Sequence, residues 1–402
     1  GNTALAIHGM RSEDAEKGST LSDGAATGKM FDDFEYLASN GMIKSYWNDN
    51  YSLIHKVNDL LDEMSQNPSL TEGDLVNKGE ALFVRAFCYF NLVRAFGEVP
   101  LIDFKVYDAA EANVPKSSVA KIYELIDSDL TEAENSLPRT WEQLYVGRLT
   151  WGAARSLHAR TYMMRNDWGN MKAAAEEVIN SGLYNLKTPY EDIFREKGEN
   201  CSESVFELQC TATESQPGSN DIGSQFASVQ GDPESIPANK PYGEKPISNA
   251  DVIAKYFNKK AYTDPAMRLK FTKGGYWVNI RLIRYADVVL MASEAACELG
   301  DLSSARNYLE MVRARARGNN IGILPEVTTN NQNELREAIR HERRVELGME
   351  FDRFYDLVRW GIAKEVLQAA GKNYQDKNAL LPLPQTEIDK SKGVLVQNPD
   401  YQ

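Results

Sequence analysis

The chain has 402 residues, of which 42% are hydrophobic and 26% charged. Those are the proportions of a globular protein with room for a large core. Its 58 acidic residues outnumber the 45 basic ones and leave a net charge of −13, which argues against nucleic acid, since that ligand needs a basic stripe. No run approaches the ~18 apolar residues of a membrane-spanning helix.

Residues 1–40 are mixed, and Arg11 to Ser19 reads as a polar, turn-rich stretch. Trp47, Tyr51, Ile54, Asn58 and Leu61 are spaced for one buried face, so a helix is expected from near Trp47 to about Met64. Asn67-Pro68 stops it. A second helix is expected over about Leu75 to Ala95, with Ala81, Leu82, Arg85, Ala86 and Tyr89 inward. Gly97 serves as its left-handed cap. Residues 101–115 read as an extended connection. Ser117 or Ser118 then caps a helix that ends at Leu137-Pro138.

Residues 150–166 and 167–181 read as a helical hairpin turning at Asn166-Asp167. Residues 283–318 repeat the plan, with Gly300-Asp301 as the turn. Each hairpin takes about 34 residues, the period of a tetratricopeptide helix pair. Small residues such as Ala86, Ala154 and Ala292 would let such helices approach closely. Between the hairpins, residues 183–282 differ: the centre, Thr211 to Ile247, is rich in Gly, Pro, Ser, Asn and Gln. So long an irregular stretch in a folded chain is either functional, as a ligand-binding region, or disordered. Prolines in the 376–402 tail preclude a long helix there. The cysteines Cys88, Cys201, Cys210 and Cys297 include no Cys-x-x-Cys, which disfavours a zinc site. A disulfide between Cys201 and Cys210 is left open.

The densest charge lies between Arg340 and Gly361. Read as a helix, Leu335, Ala338, Ile339 and Met349 share a side with Glu342 and Glu346. Acids on an apolar face need partners, and Arg343, Arg344, Arg353 and Arg359 are the nearest candidates in sequence. Phe351, Phe354, Tyr355 and Val358 follow at i, i+3, i+4, i+7 spacing, as in an aromatic helix.

No dinucleotide fingerprint, phosphate-binding P-loop or nucleophile elbow occurs. The histidines His8, His55, His158 and His341 are scattered, and no metal-ligand spacing is present. Carboxylate pairs at Glu342/Glu346 and Asp287/Glu294 share helix faces, but each has arginines beside it: Arg343 and Arg344 for the first, Arg281 and Arg284 for the second. An Arg-paired acid stays ionised and is a poor general acid. No catalytic residue, cofactor or metal is therefore assigned. Aromatic side chains in polar loops are the remaining signal, because sugar rings stack on them. These are Tyr242, Tyr276 and Trp277 in the irregular region, and Trp141 and Tyr145 after the 118–137 helix. Trp47 and Trp360 sit in amphipathic patterns and read as core.

The Glu342–Gly361 block resembles the Glu-Arg-Arg-x-Glu-Leu … Arg-x-x-Asp-Leu-x-Arg-Trp-Gly signature of the SusD/RagB-like outer-membrane lipoproteins. Ile283-Arg284-Tyr285-Ala286-Asp287 is similar to a second family helix, and Val312-Arg313-Ala314-Arg315-Ala316 fits the one after it. Leu381-Pro382-Leu383-Pro384 and Gln397-Asn398-Pro399-Asp400-Tyr401 resemble the family tail. Arg85-Ala86, Gly97 to Leu101 and Gly147 to Thr150 look like landmarks of its N-terminal half. The sequence departs from the pattern at Gly348, Phe351 and Asp400. It also lacks the family's lipid-bearing N-terminal Cys, which reads as a trimmed N-terminus.

The resemblance implies a mostly α single domain over 1–402. Tetratricopeptide-like helix pairs would build a scaffold over about 45–182 and 283–361. It further implies a lipid-anchored protein at the cell outer membrane, facing the exterior. Its partners would be a SusC-like TonB-dependent transporter and an oligosaccharide or polysaccharide ligand, bound without chemistry. Peptide or protein cargo is the alternative, and a helical glycoside hydrolase a more distant one. In this frame Glu342, Arg343, Glu346, Arg353, Asp356 and Arg359 form a structural ion network that clamps the last helix pair to the Trp360 segment.

Overall fold

The computed structural model describes residues 2–15, 25–108, 110–211, 260 and 277–401. It is mostly helical. After a short Asn2–Ala4 turn and the π-helical Leu5–Gly9, the helices are α1 (Ala25–Asp32), α2 (Gly41–Ser65), α3 (Glu72–Phe96), α4 (Val119–Ser136), α5 (Trp151–Met164), α6 (Trp168–Asn180), α7 (Tyr285–Glu298), α8 (Leu302–Arg317), α9 (Gln332–Leu347), α10 (Arg353–Arg359), α11 (Ala363–Ala369) and α12 (Gln385–Lys390). A single α-helical turn at Tyr190–Ile193, 3-10 turns at Gln143–Tyr145, Glu196–Gly198 and Asp376–Ala379, and two small antiparallel ribbons complete the described elements. In one, β1 (Val99–Pro100) pairs with β2 (Lys116–Ser117). In the other, β3 (Ser204–Leu208) pairs with β4 (Ile280–Arg284).

Where the sequence reads as one domain, the backbone contacts group into two compact units. The first comprises 1–33 and 162–372, the second 34–161 and 373–402.

In the second unit, α2 packs on α3 and α3 on α4. Helix α2 begins earlier than its apolar pattern suggests, because the Asn40 side chain accepts from the Met42 amide. Helix α3 also begins early. Thr71 and Asp74 make a reciprocal capping box at its start. Gly79 lets α3 and α4 approach, since a Cβ there would meet the Ser136 Cβ at 2.9 Å. Between the helices Arg85 is buried and grips Asp129 with two parallel bonds, at 2.8 and 2.7 Å. Its third nitrogen donates to Asn58 Oδ1 at 2.8 Å.

The tail closes this unit. Leu381 donates its amide to the Ala95 carbonyl at 2.7 Å. The Asn398 amide donates to the carbonyls of Phe96 and Leu381, both at 2.8 Å. Tail prolines exclude a long helix as expected, yet Pro384 opens the six-residue α12.

In the first unit, α7 is the central element, buried along nearly its whole length. It packs against α6, α8 and α9. The repeat-like plan over 283–318 is present, and Ser293 Oγ ties α7 to the Ala305 carbonyl on α8 at 2.7 Å. Strand β3 lies between Cys201 and Cys210. All four cysteines are free thiols, including Cys201 and Cys210.

The first unit also corrects several expectations. Arg11, read as part of a polar turn, is fully buried. Its Nε donates to the Ile7 carbonyl at 2.7 Å, and its guanidinium lies 4.1 Å from the centre of the Phe354 ring. Met349 does not share the α9 face, because the helix stops at Leu347 and Met349 turns to φ +66°. Phe351 likewise stands outside α10, at φ +79°. The aromatic helix is the shorter α10, which buries Phe354 and Tyr355.

Candidate functional site

The chain leaving α4 at Leu137 turns through Trp141 and a 3-10 turn at Gln143–Tyr145 before entering α5. This elbow is fixed by polar contacts. The Trp141 indole N–H donates to the Leu149 carbonyl at 2.7 Å. Arg148 lies 4.2 Å over the Trp141 ring and is itself held by Glu80 on α3, with bonds of 2.6 and 3.0 Å. One face of Trp141 is thus covered by the guanidinium. Tyr145 stands edge-on to Trp141, ring centres 6.0 Å apart, and is 46% exposed. Leu144 beside it is 83% exposed. A rigid aromatic held open to water can stack on the apolar face of a sugar ring.

Trp141 and Tyr145 are the only pair among the five expected aromatics that the described residues bring together. Trp277 lies in the other unit and is only 7% exposed. Its indole N–H donates to Glu196 Oε1 at 2.6 Å. Its near neighbour Asn279 bonds Glu207 at 3.0 Å, Gln209 at 2.9 Å and, through its backbone amide, Glu199 at 2.8 Å. Burial pushes the Glu199 carboxyl above its ordinary range, against the Asn279 amide and Arg281. Trp277 is therefore packed into a polar network and is not an open platform. Tyr242 and Tyr276 lie outside the described residues.

The sequence reading missed a cleft of about 930 Å³ in the second unit. Its floor includes Trp47 and Tyr51 of α2, whose rings sit 4.9 Å apart. Both residues are buried, as their helical spacing suggested. The cleft's polar rim was legible only as solvent-facing positions on α2.

Residues 234–401 match the SusD family model, and residues 12–163 match a model described as starch-binding and associating with the outer membrane. The chain belongs to the SusD family. It is 28% identical to SusD-like protein P2 of Formosa agariphila, over 90% of this chain and 81% of that protein. It is 26% identical to a SusD-like protein of Bacteroides ovatus, over 81% of this chain and 67% of the other. Among solved structures, a laminarin-binding SusD-like protein superposes with a TM-score of 0.77 at 25% identity, covering 100% of this chain and 94% of the other. Surface glycan-binding protein A of Bacteroides thetaiotaomicron, solved with laminarihexaose, gives 0.77 at 22% identity, over 98% and 93% of the two chains.

In this SusD-family chain the charged helix is part of a wider ion network than its own segment suggests. The arginines nearest in sequence are not the partners of its acids. Glu342 takes Arg313 of α8 at 2.7 Å. Glu346 takes Arg284 of β4 at 2.9 Å and Arg315 of α8 at 2.6 Å. Arg343 reaches Asp287 of α7 at 2.8 Å and Asp356 of α10 at 3.2 Å. Arg359 clasps Glu294 of α7 with bonds of 2.6 and 2.7 Å and also binds Asp356. Thus Asp287 and Glu294 are held by Arg343 and Arg359, not by Arg281 and Arg284. Arg281 instead faces Glu207 at 3.2 Å. Arg353 stands apart from the cluster and binds Glu13, while Arg344 binds Asp14 at 2.6 Å.

The SusD-fold network also recruits residues that sequence reasoning did not name. Arg284 binds Glu203 at 2.5 Å and Glu350 at 2.6 and 2.7 Å. Burial opposes ionisation of Glu350, but Arg284 and Lys260 outweigh it and bring its pKa down to about 2. Glu294 is likewise lowered, by Arg359 and Arg343 acting against burial. Glu342 goes the other way, because burial outweighs Arg313. All these acids are engaged by arginine, which suits structure better than proton transfer. Among the described residues, no His, Cys, Asp and Glu group could hold a metal ion.

Proposed function

We propose that this protein captures glycan oligomers at the cell surface and passes them to a SusC-like TonB-dependent transporter, without chemical change to the cargo. Family membership carries the reading, together with the laminarin-binding relative that matches this chain end to end. The open Tyr145 face beside Trp141 supports it as a stacking surface. The Arg-bound acids support the non-catalytic part. Outer-membrane association follows the description of the family model. The lipid anchor and outward orientation belong to the same proposal.

Calorimetry against a panel of neutral and charged oligosaccharides tests the binding. Measurable affinity with no release of reducing ends is the expected result. Failure of every glycan to bind, or turnover of any of them, would overturn the reading. Co-purification of a barrel transporter with the full-length protein from its native membrane tests delivery, and metabolic labelling with palmitate tests the anchor.

A further inference from the structure

The cleft in the second unit differs in character from the elbow. Helix α2 supplies one wall, with Asn48, Ser52, His55 and Lys56 facing the opening. A second wall comes from Asn113 and from the end of α12 and the turn after it, including Lys390 and Lys392. Asn113 donates to the Ser391 carbonyl at 3.2 Å and so joins the two parts of that wall. Acids are present too: Asp59 on the α2 side and Glu387 on α12. Glu387 is occupied by Lys390 at 2.9 Å. Among the described residues no carboxylate lies within 4.0 Å of the Lys56 or Lys392 ammonium, and both side chains are exposed. These cations, from two different elements, therefore line one cleft of a chain whose net charge is −13.

The charge arrangement selects for the ligand. The molecule as a whole repels anions, so an anion gains here only by close approach. Within the ~8 Å over which charges act at physiological salt, the lining's three lysines, Lys56, Lys390 and Lys392, outnumber its two acids, Asp59 and Glu387. The lining also holds the amides of Asn48 and Asn113, the Ser52 hydroxyl and the His55 imidazole, with Trp47, Tyr51 and the apolar Pro100, Ile102 and Leu395. These groups match the hydroxyls and ring faces of a saccharide better than a bare ion. The volume of about 930 Å³ accommodates a short oligomer.

We infer that this cleft is a second glycan site, selective for saccharides bearing an anionic group, either a carboxylate or a sulfate, held between Lys56 and Lys392. The inference rests on the glycan-capture reading and extends it to a substrate class. Lys56 and Lys392 contact the anion, Asn48, Ser52 and Asn113 contact hydroxyls, and Trp47 and Tyr51 form the floor.

The test is calorimetry of the full chain at 150 mM salt with tetragalacturonate, a sulfated galactan tetrasaccharide and laminarihexaose. The wild type is compared with Lys56→Ala/Lys392→Ala, two exposed changes that leave the fold intact. Binding of at least one anionic probe is expected, weakened about tenfold or more in the double variant. Its affinity should fall with added salt in the wild type and much less so in the variant. The probe that binds identifies carboxylate or sulfate. Laminarihexaose affinity should be the same for both proteins. Unchanged anionic binding in the double variant overturns the inference, as does binding of laminarihexaose alone. If no glycan of any class binds, the glycan-capture reading falls as well, so the two failures are distinguishable.

Discussion

Arg343 of α9 donates to Asp287 of α7 at 2.8 Å, with both side chains wholly buried. The same guanidinium also holds Asp356 at 3.2 Å. Replacing Arg343 with Met takes this cation away from the buried Asp287, while Asp356 keeps Arg359. The expected cost is about 3–5 kcal/mol, the usual penalty for breaking a buried pair. The double change Arg343→Met/Asp287→Leu should recover part of it, because one orphaned charge is gone. Urea denaturation checks both, and a single variant as stable as the wild type would refute the structural role.

Glu346 carries the same logic from the acidic side. Glu346→Ala takes one buried carboxylate from Arg284 and Arg315, which it binds at 2.9 and 2.6 Å, and leaves the two cations to share Glu203. Stability should fall by about 3–5 kcal/mol, while glycan affinity of the surviving folded protein stays unchanged. A variant that melts normally yet loses ligand would show that this helix belongs to the binding machinery.

Glu350 makes acid sensitivity specific. Its folded pKa of about 2 lies below the ordinary 4.5. A depressed carboxyl contributes stability that is fully present above its unfolded pKa and lost as pH falls toward the folded one. Glu350→Gln should therefore destabilise the protein at pH 7. The gap between variant and wild type should close between pH 4.5 and 2, as followed by thermal melts across that range.

His158 acts in the opposite direction. Burial disfavours its charged form, but hydrogen bonds with Asp127 and Glu134 outweigh this and raise its pKa above 6.5. The ring nitrogen Nδ1 lies 2.7 Å from Glu134. A raised histidine stabilises fully below its unfolded pKa, and that contribution is lost as pH rises through the folded value. Melting temperature should decline as pH rises above 6.5, and His158→Gln should flatten that slope. An identical slope in the variant would assign the dependence elsewhere.

Tyr145 tests the elbow. Tyr145→Ala removes a half-exposed ring whose ring contact among the described residues is the edge-on one with Trp141. Melting should not shift, while affinity for neutral oligosaccharide should fall about 3- to 10-fold, the ~0.5–1.5 kcal/mol of an aromatic face. Unchanged affinity would move the neutral site away from this loop.

Much of the helical scaffold was legible because apolar spacing survives in the sequence. Helices over 119–136, 285–298 and 302–317 stand where the pattern put them. Starts were read late where a cap precedes the first apolar residue, as at Asn40 and at Thr71 with Asp74. The acids of α9 were recognisable as buried, but their cations were not. Arg284 is 62 residues from Glu346, and no local spacing joins them. Trp277 looked like a loop aromatic because Glu196, which receives its N–H, lies 81 residues upstream. The exposure of the Tyr145 ring was readable from its polar neighbours. The cleft was not, since its walls come from α2 and from the far end of the chain.

The tail that seals the second unit has a consequence for how the protein is made. Asn398 bonds to the Phe96 carbonyl 302 residues before it, and Leu381 bonds to Ala95. During synthesis α2, α3 and α4 emerge early, but the groups that bond to the end of α3 are translated only after residue 372. The whole span from 162 to 372, which forms most of the first unit, must be made in between. The second unit thus waits incomplete for most of the chain's elongation, with a long loop to close. A nascent chain halted before Asn398 would carry a finished first unit and an unsealed second one, and proteases would have that opening to attack.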